Sequence, residues 1–295
     1  MNKSVFTGAG VALVTPMINN KVDFEALEKI IEFQIENSTD AIVVCGTTGE
    51  APTLEDDEHL DVIEFCVDKV RGRIPVIAGT GSNNTAHAIM MNKEAEKRGA
   101  DGLLWVSPYY NKATQEGLIE HYSLLAKSTS LPAILYNVPA RTGVNILPET
   151  IEKLAEIENI VAVKEASGKV EQAVEILNRC GDKIDVYSGN DDITVPIMSI
   201  GGKGVISVLS NILPKETHMM CKYAIDGDFK SAANLQLKFY NLISLLFKEV
   251  NPIPVKAALN LMGMIEKDIR LPLVPMSEKN LLLLKNEMRK LNILR

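Results

Sequence analysis

The sequence predicts an α/β protein, a (β/α)₈ TIM barrel followed by a small C-terminal helical domain. Three observations point there. Short apolar, β-branched runs recur eight times, with starts roughly 19 to 34 residues apart. Charged segments with helical periodicity lie between them. The strand signals stop after Asn211, and only helical patterns follow.

Taken in order, the runs are VALVTP from Val11, AIVVCGTTGE from Ala41, PVIAGTGS from Pro75, GLLWVSPYY from Gly102, PAILYNVP from Pro132, IVAVKEAS around Val161, DVYSGND from Asp185 and GVISVLSN from Gly204. Near-continuous apolar runs suit parallel strands that are buried on both faces. The first intervening segment, from Asp23, sets Phe24, Leu27, Ile30, Ile31 and Gln34 on successive turns. The second, EDDEHLDVIEFCVDKVRG, puts acids first and bases last, as the helix dipole favours. Asn83-Asn84-Thr85 supplies capping residues for a third helix, and Pro148 suits a helix start.

Strand followed by helix, eight times, fits a barrel of about 220 residues. A doubly wound sheet usually has fewer strands and a glycine-rich nucleotide turn after the first, which Val11–Pro16 lacks. Helices are expected near Asp228–Val250, Pro254–Gly263 and Ser277–Leu294, punctuated by Pro252, Pro254, Pro272 and Pro275. The expected division is a barrel over 1–225 and a helical domain over 226–295.

Composition excludes several classes. A net charge of -7 and no basic run argue against nucleic-acid binding. Cys45, Cys66, Cys180 and Cys221 form no CxxC pair, so a zinc site is not indicated and reduced, buried thiols are expected. The first residues lack a secretory h-region, and no run of about 18 apolar residues could span a bilayer. A soluble, cytoplasmic protein is expected.

In such barrels chemistry sits at the C-terminal ends of the strands. Strand two ends in Gly46-Thr47-Thr48-Gly49-Glu50, strand four in Pro108-Tyr109-Tyr110, strand five in Tyr136-Asn137 with Arg141 beyond, and strand seven in Ser188-Gly189-Asn190-Asp191. Lys164 interrupts the apolar run of strand six. A buried ammonium loses hydration worth several kcal/mol unless something compensates. It could pair with Glu165 or Asp191, although Glu165 should face the other way along the strand. Alternatively, burial lowers the pKa of a lysine and leaves free amine to form an imine with a ketone. Tyr136, Thr47 and Tyr110 could move the protons such chemistry needs; each taken singly is also an ordinary packing residue. Backbone N–H groups around Thr48 could hold a carboxylate, and the fork of Arg141 suits another, though a lone loop arginine is commonly a surface charge.

Weaker signals are set aside. The GTGS turn at Gly79 is a fragment of a dinucleotide fingerprint, and Gly201-Gly202-Lys203-Gly204 is not a P-loop. Asp191 and Asp192 fit a helix cap better than a metal site. His59, His87, His121 and His218 fall on expected helices, away from strand ends, without ligand spacing.

The motifs GTTGE, SPYY, YNVPARTG, VKEASG, SGND and GVISV, with NPIPVKAAL from Asn251, resemble the dihydrodipicolinate synthase/N-acetylneuraminate lyase family over most of the chain. The arginine of YNVPARTG and the tyrosine pair of SPYY point to its synthase branch, on the route to diaminopimelate and lysine. That resemblance implies that Lys164 forms a Schiff base with pyruvate and that Tyr136, Thr47 and Tyr110 relay protons. Thr48 and the backbone at Ile206 would hold the pyruvate carboxylate, with Gly189 of SGND among the substrate-binding positions. Arg141 would guide in L-aspartate-4-semialdehyde. No metal or organic cofactor is implied. A homotetramer is, with Tyr110 reaching into a neighbour's site.

One region departs from that family. Members inhibited by lysine tend to carry histidine where Asp56 stands, glutamate at His87 and Ser-Ala at Ala51-Pro52; Asn83, Tyr109 and His59 match. Weak or absent lysine inhibition is therefore expected. The rival readings are a lyase for sialic acid or a keto-deoxy sugar acid, and a non-catalytic barrel that binds a keto acid.

Overall fold

Eight strands close a parallel barrel in the computed structural model, which describes residues 4–294. They are β1 (Gly8–Ala12), β2 (Ala41–Val44), β3 (Val76–Gly79), β4 (Gly102–Val106), β5 (Ala133–Asn137), β6 (Ile160–Glu165), β7 (Asp185–Ser188) and β8 (Gly204–Ser207). Each pairs with its sequence neighbours, and β1 closes the ring against β8. The helices between and after them include α1 (Phe24–Glu36), α2 (Asp56–Val70), α3 (Thr85–Lys97), α4 (Gln115–Ala126), α5 (Pro148–Leu154), α6 (Val170–Cys180), α7 (Thr194–Ser199) and α8 (Pro214–Ile225). The expected fold class is the observed one.

Local chemistry accounts for the helix starts. Asp23 and Asn84 accept N–H bonds at the heads of α1 and α3, and Pro148 begins α5. Leu27, Ile30 and Ile31 form the inward stripe of α1, each contributing about 1.5–3 kcal/mol by leaving water.

The first strand begins earlier than the apolar pattern suggests, at Gly8 rather than Val11. Its first half is glycine-rich because the barrel floor is crowded. A Cβ on Gly10 would stand 2.8 Å from the Phe6 ring. That ring stacks on Tyr187 at 4.4 Å between centroids, and the Tyr187 hydroxyl donates to the Phe6 carbonyl. The two aromatics plug the end of the barrel opposite the polar rim.

Strand alternation sorts side chains into two layers. Ile77, Leu104, Ile134, Tyr136, Ala162 and Ile206 belong to the cluster inside the barrel. Ala78, Trp105, Leu135, Val163 and Val186 face outward into the larger cluster beneath the helices. Lys164 shares the inward parity of Ala162, two residues before it on β6.

The C-terminal segment forms α9 (Phe229–Leu246), α10 (Ile253–Leu261) and α11 (Glu278–Lys290), close to the expected helices. Leu242, Leu246, Val255 and Leu259 join the same apolar cluster as the barrel helices. The four cysteines are buried and unpaired. Among the described residues, no helix is long and apolar enough to cross a membrane.

Candidate active site

Lys164 and Tyr136 meet because β5 and β6 are in register at these residues. Only 6% of Lys164 is exposed. Its Nζ lies 4.2 Å from the centroid of the Tyr136 ring, within cation–π range.

The carboxylates that could have neutralised Lys164 are engaged elsewhere. Glu165 faces the other side of the strand and accepts from Asn137 Nδ2 (2.9 Å), Gln172 Nε2 (2.9 Å) and the Ser167 N–H (2.6 Å). Asp191 accepts from the Ser207 hydroxyl and from the N–H groups of Val208 (3.0 Å) and Leu209 (3.1 Å). Asp191 thus caps the backbone after β8 rather than the turn it opens. Burial pushes its carboxyl pKa up, with the hydrogen bonds and the Lys164 charge acting the other way. Lys164 forms no ion pair with any described residue.

Gly189, at the end of β7, makes room beside the lysine. A Cβ there would lie 2.6 Å from the Ala166 Cβ and 3.2 Å from Lys164 Cε.

The GTTGE turn follows β2. Cys45 and Glu50 adopt left-handed backbone at its two ends, with φ of 53° and 56°. Three N–H groups bond back within the turn: Gly49 to the Gly46 carbonyl (3.1 Å), Glu50 to Thr47 (3.2 Å) and Ala51 to Gly46 (3.3 Å). The N–H groups of Thr47 and Thr48 find no acceptor among the described residues. Two adjacent free donors suit a carboxylate. The Thr48 hydroxyl accepts from Asn251 Nδ2 at 2.9 Å, and the Asn251 carbonyl accepts from Arg141 Nη2 at 3.1 Å.

Asn251 therefore ties together two residues picked out from the sequence. It was not itself singled out, because it lies far along the chain in a stretch whose only signal is the NPIPVKAAL resemblance.

A cavity of about 410 Å³ opens beside these strand ends, with Gly46, Thr47, Tyr109, Tyr136 and Arg141 in its wall. Lys164, Thr48, Gly189 and Ile206 lie outside that wall. Tyr136 joins the two groups, since it lines the cavity and lies beneath the Lys164 ammonium. Ile206 is buried in the interior cluster on β8.

Tyr110 does not join Tyr136 and Thr47 within one chain, where convergence on one rim was expected. Its backbone is left-handed (φ 69°) and the residue is 92% exposed. The chain reverses there, while Asn83 Nδ2 donates to the Tyr109 carbonyl (3.2 Å) and holds the preceding residue inward.

The histidines need one correction. His59 is on α2 but reaches a strand end, with Nε2 2.8 Å from the Gly79 carbonyl at the close of β3. Burial lowers its pKa to about 4 against the opposing pull of that hydrogen bond. It also lines the cavity, as do His87 and Asp56, which pair at 2.9 Å. Helical periodicity gave its position but not the reach of its side chain. Cys45 lies beside it, and burial pushes the thiol well up, away from a nucleophilic thiolate.

The donor set of this site is hydroxyls, backbone amides, one amine and one guanidinium, which suits organic anions. Among the described residues, no group of three or more histidine, cysteine or acidic side chains could hold a metal ion.

Comparison with known proteins identifies the family. The model of the dihydrodipicolinate synthetase family matches residues 5–291. The chain is 54% identical to the 4-hydroxy-tetrahydrodipicolinate synthase of Acetivibrio thermocellus, covering 98% of each chain. It is 56% identical to the enzyme of the same name from Clostridium tetani, covering 97% of each. A solved structure of a chloride-inhibited dihydrodipicolinate synthase from Acinetobacter baumannii, complexed with pyruvate, superposes with a TM-score of 0.96 at 47% identity, over 98% of this chain and 99% of that one. The chain belongs to the dihydrodipicolinate synthetase family.

Proposed function

We propose that this protein is a cytoplasmic, Schiff-base pyruvate aldolase-type lyase. It condenses pyruvate with L-aspartate-4-semialdehyde to 4-hydroxy-tetrahydrodipicolinate, for diaminopimelate and lysine biosynthesis. Its curated relatives, alike over nearly their whole length, are named for that reaction. The observation that carries the reading is the Lys164 amine, buried at the barrel mouth, unpaired with any acid among the described residues and set against Tyr136.

The amine adds to the ketone carbon of pyruvate, and water leaves to give the imine. The protonated imine withdraws electrons from the methyl group, which loses a proton to become an enamine. That carbon attacks the aldehyde of the second substrate, whose oxygen takes up a proton. The substrate's own amine then adds to the imine carbon and displaces Lys164, which closes the ring and frees the enzyme.

Tyr136 passes these protons with Thr47, both of which face the cavity. The free N–H groups at Thr47 and Thr48, with the backbone near Ile206, hold the pyruvate carboxylate, and Gly189 keeps the lysine's flank open. Arg141 receives the carboxylate of the aldehyde. The assembly is a homotetramer in which Tyr110 completes the relay of a neighbouring subunit; its outward projection supports this role in trans. Arg141 favours the synthase over sialic acid cleavage.

Borohydride reduction with pyruvate present, followed by peptide mass mapping, tests the reading. A pyruvyl adduct on Lys164 is expected, and an unmodified Lys164 would refute it.

A further inference from the structure

The turn that holds Thr47 and Thr48 ends at Glu50, a carboxylate with 1% of its side chain exposed. Lys256 of α10, 3% exposed, donates to Glu50 Oε1 at 2.5 Å. The backbone N–H of Arg270 donates to Oε2 at 3.1 Å. The Arg270 guanidinium donates to the Thr53 carbonyl at 2.7 Å, forms a two-pronged pair with Glu58 on α2, and reaches the Asn20 carbonyl at 2.8 Å. Residues 251–270 therefore hold the loop between β2 and α2 along its length.

A buried ion pair is a poor device for stability, because desolvating both charges offsets their attraction, and apolar replacements are often as stable. Geometry is what it supplies. With one oxygen held by Lys256 and the other by the Arg270 N–H, the Glu50 carboxylate has a single place to sit. Its left-handed backbone then sets the course of the three preceding residues. Burial draws the Lys256 ammonium pKa down, and the Glu50 charge opposes that pull.

We infer that Lys256 and Glu50 are positioning residues of the condensation: their pair, more than 200 residues apart in sequence, holds the Gly46–Glu50 turn so that Thr47 and Thr48 meet the pyruvate carboxylate. The inference rests on the pyruvate reading above. Neither residue touches substrate.

The test is the double variant Lys256→Met with Glu50→Gln, which removes both charges at nearly constant volume and leaves no lone buried ion. Its thermal unfolding is expected near that of the parent. Its kcat/KM for pyruvate is expected to fall by about 10²-fold, the usual cost of a displacement near 1 Å. The fall should lie mainly in KM, and borohydride should still trap pyruvate on Lys164 at saturation. Hydrogen exchange without substrate should quicken at Gly49, Glu50 and Ala51 and stay unchanged on β6. A folded double variant with parental KM and parental exchange in the turn would overturn the inference. Glu50→Asp, which keeps both charges and shortens the reach of the carboxylate, serves as the second variant if the double does not fold; a smaller change in the same direction is expected, and parental behaviour overturns the idea equally. Failure of the parent to trap pyruvate sinks the pyruvate reading, whereas turn exchange judges the latch by itself.

Discussion

Tyr136 and Lys164 are register partners on adjacent strands, and the ammonium of one lies 4.2 Å from the ring centroid of the other. The ring and the phenol have separable duties. Tyr136→Phe keeps the surface beneath the amine and removes only the proton carrier. Turnover should drop by about 10²–10⁴-fold, while borohydride still captures pyruvate on Lys164. Steady-state rates set beside adduct yield will decide, and an unchanged turnover would remove Tyr136 from the relay.

Lys164 is buried against the Tyr136 ring and forms no ion pair with any described residue, so its place there serves chemistry rather than stability. Lys164→Met, apolar and of similar length, is expected to abolish the adduct while unfolding stability stays at or above that of the parent. Urea denaturation measures this. A variant less stable than the parent would mean that the amine has structural partners.

Arg141 is exposed and touches the Asn251 carbonyl, not Lys164. Arg141→Ala should therefore leave the pyruvate adduct intact and raise the KM for L-aspartate-4-semialdehyde. A loss of about 1.5–3 kcal/mol corresponds to roughly 10–150-fold in kcat/KM. Equal damage to both substrates would argue against its assignment to the aldehyde.

His59 gives acid sensitivity with a defined sign. Its pKa is about 4 in the fold, against about 6.5 when free, because burial disfavours the charged ring. Between those values the unfolded chain binds the extra proton. The contribution is thus fully present above about pH 6.5 and is lost as the pH falls toward 4, by at most about 3 kcal/mol. His59→Gln keeps a donor for the Gly79 carbonyl and should flatten the fall in melting temperature over that range. Parallel curves for parent and variant would place the acid sensitivity elsewhere.

The Asp56–His87 pair, which joins α2 to α3, lines the cavity. The family resemblance implies a glutamate in lysine-inhibited members where His87 stands, so a lysine ammonium would lack that partner here. Purified enzyme should keep its activity in millimolar lysine. Half-inhibition below one millimolar would show that the Asp56 carboxylate serves instead.

Much of the fold was legible because its signals are local. Asp23 and Asn84 cap the helices they precede, and Pro148 starts another. Lys164 stood out because an amine amid valines and alanines demands a reason. The first strand was misplaced because Gly8 and Gly10 answer to the Phe6–Tyr187 floor, which no neighbouring residue announces. Strand position set Tyr110 on the same rim as Tyr136, whereas its left-handed backbone turns it out of its own chain's site.

The sequence alone determined the strand and helix order, the inward parity of Lys164 and the types of group at the strand ends, since these follow from period-two alternation and nearby chain chemistry. Only the tertiary structure decided that Asp191 is committed to the turn after β8, that His59 reaches Gly79, and that Asn251, Lys256 and Arg270 grip the GTTGE loop. Those contacts join residues distant along the chain, and their partners are chosen by barrel closure and helix packing, to which no short window of sequence is sensitive.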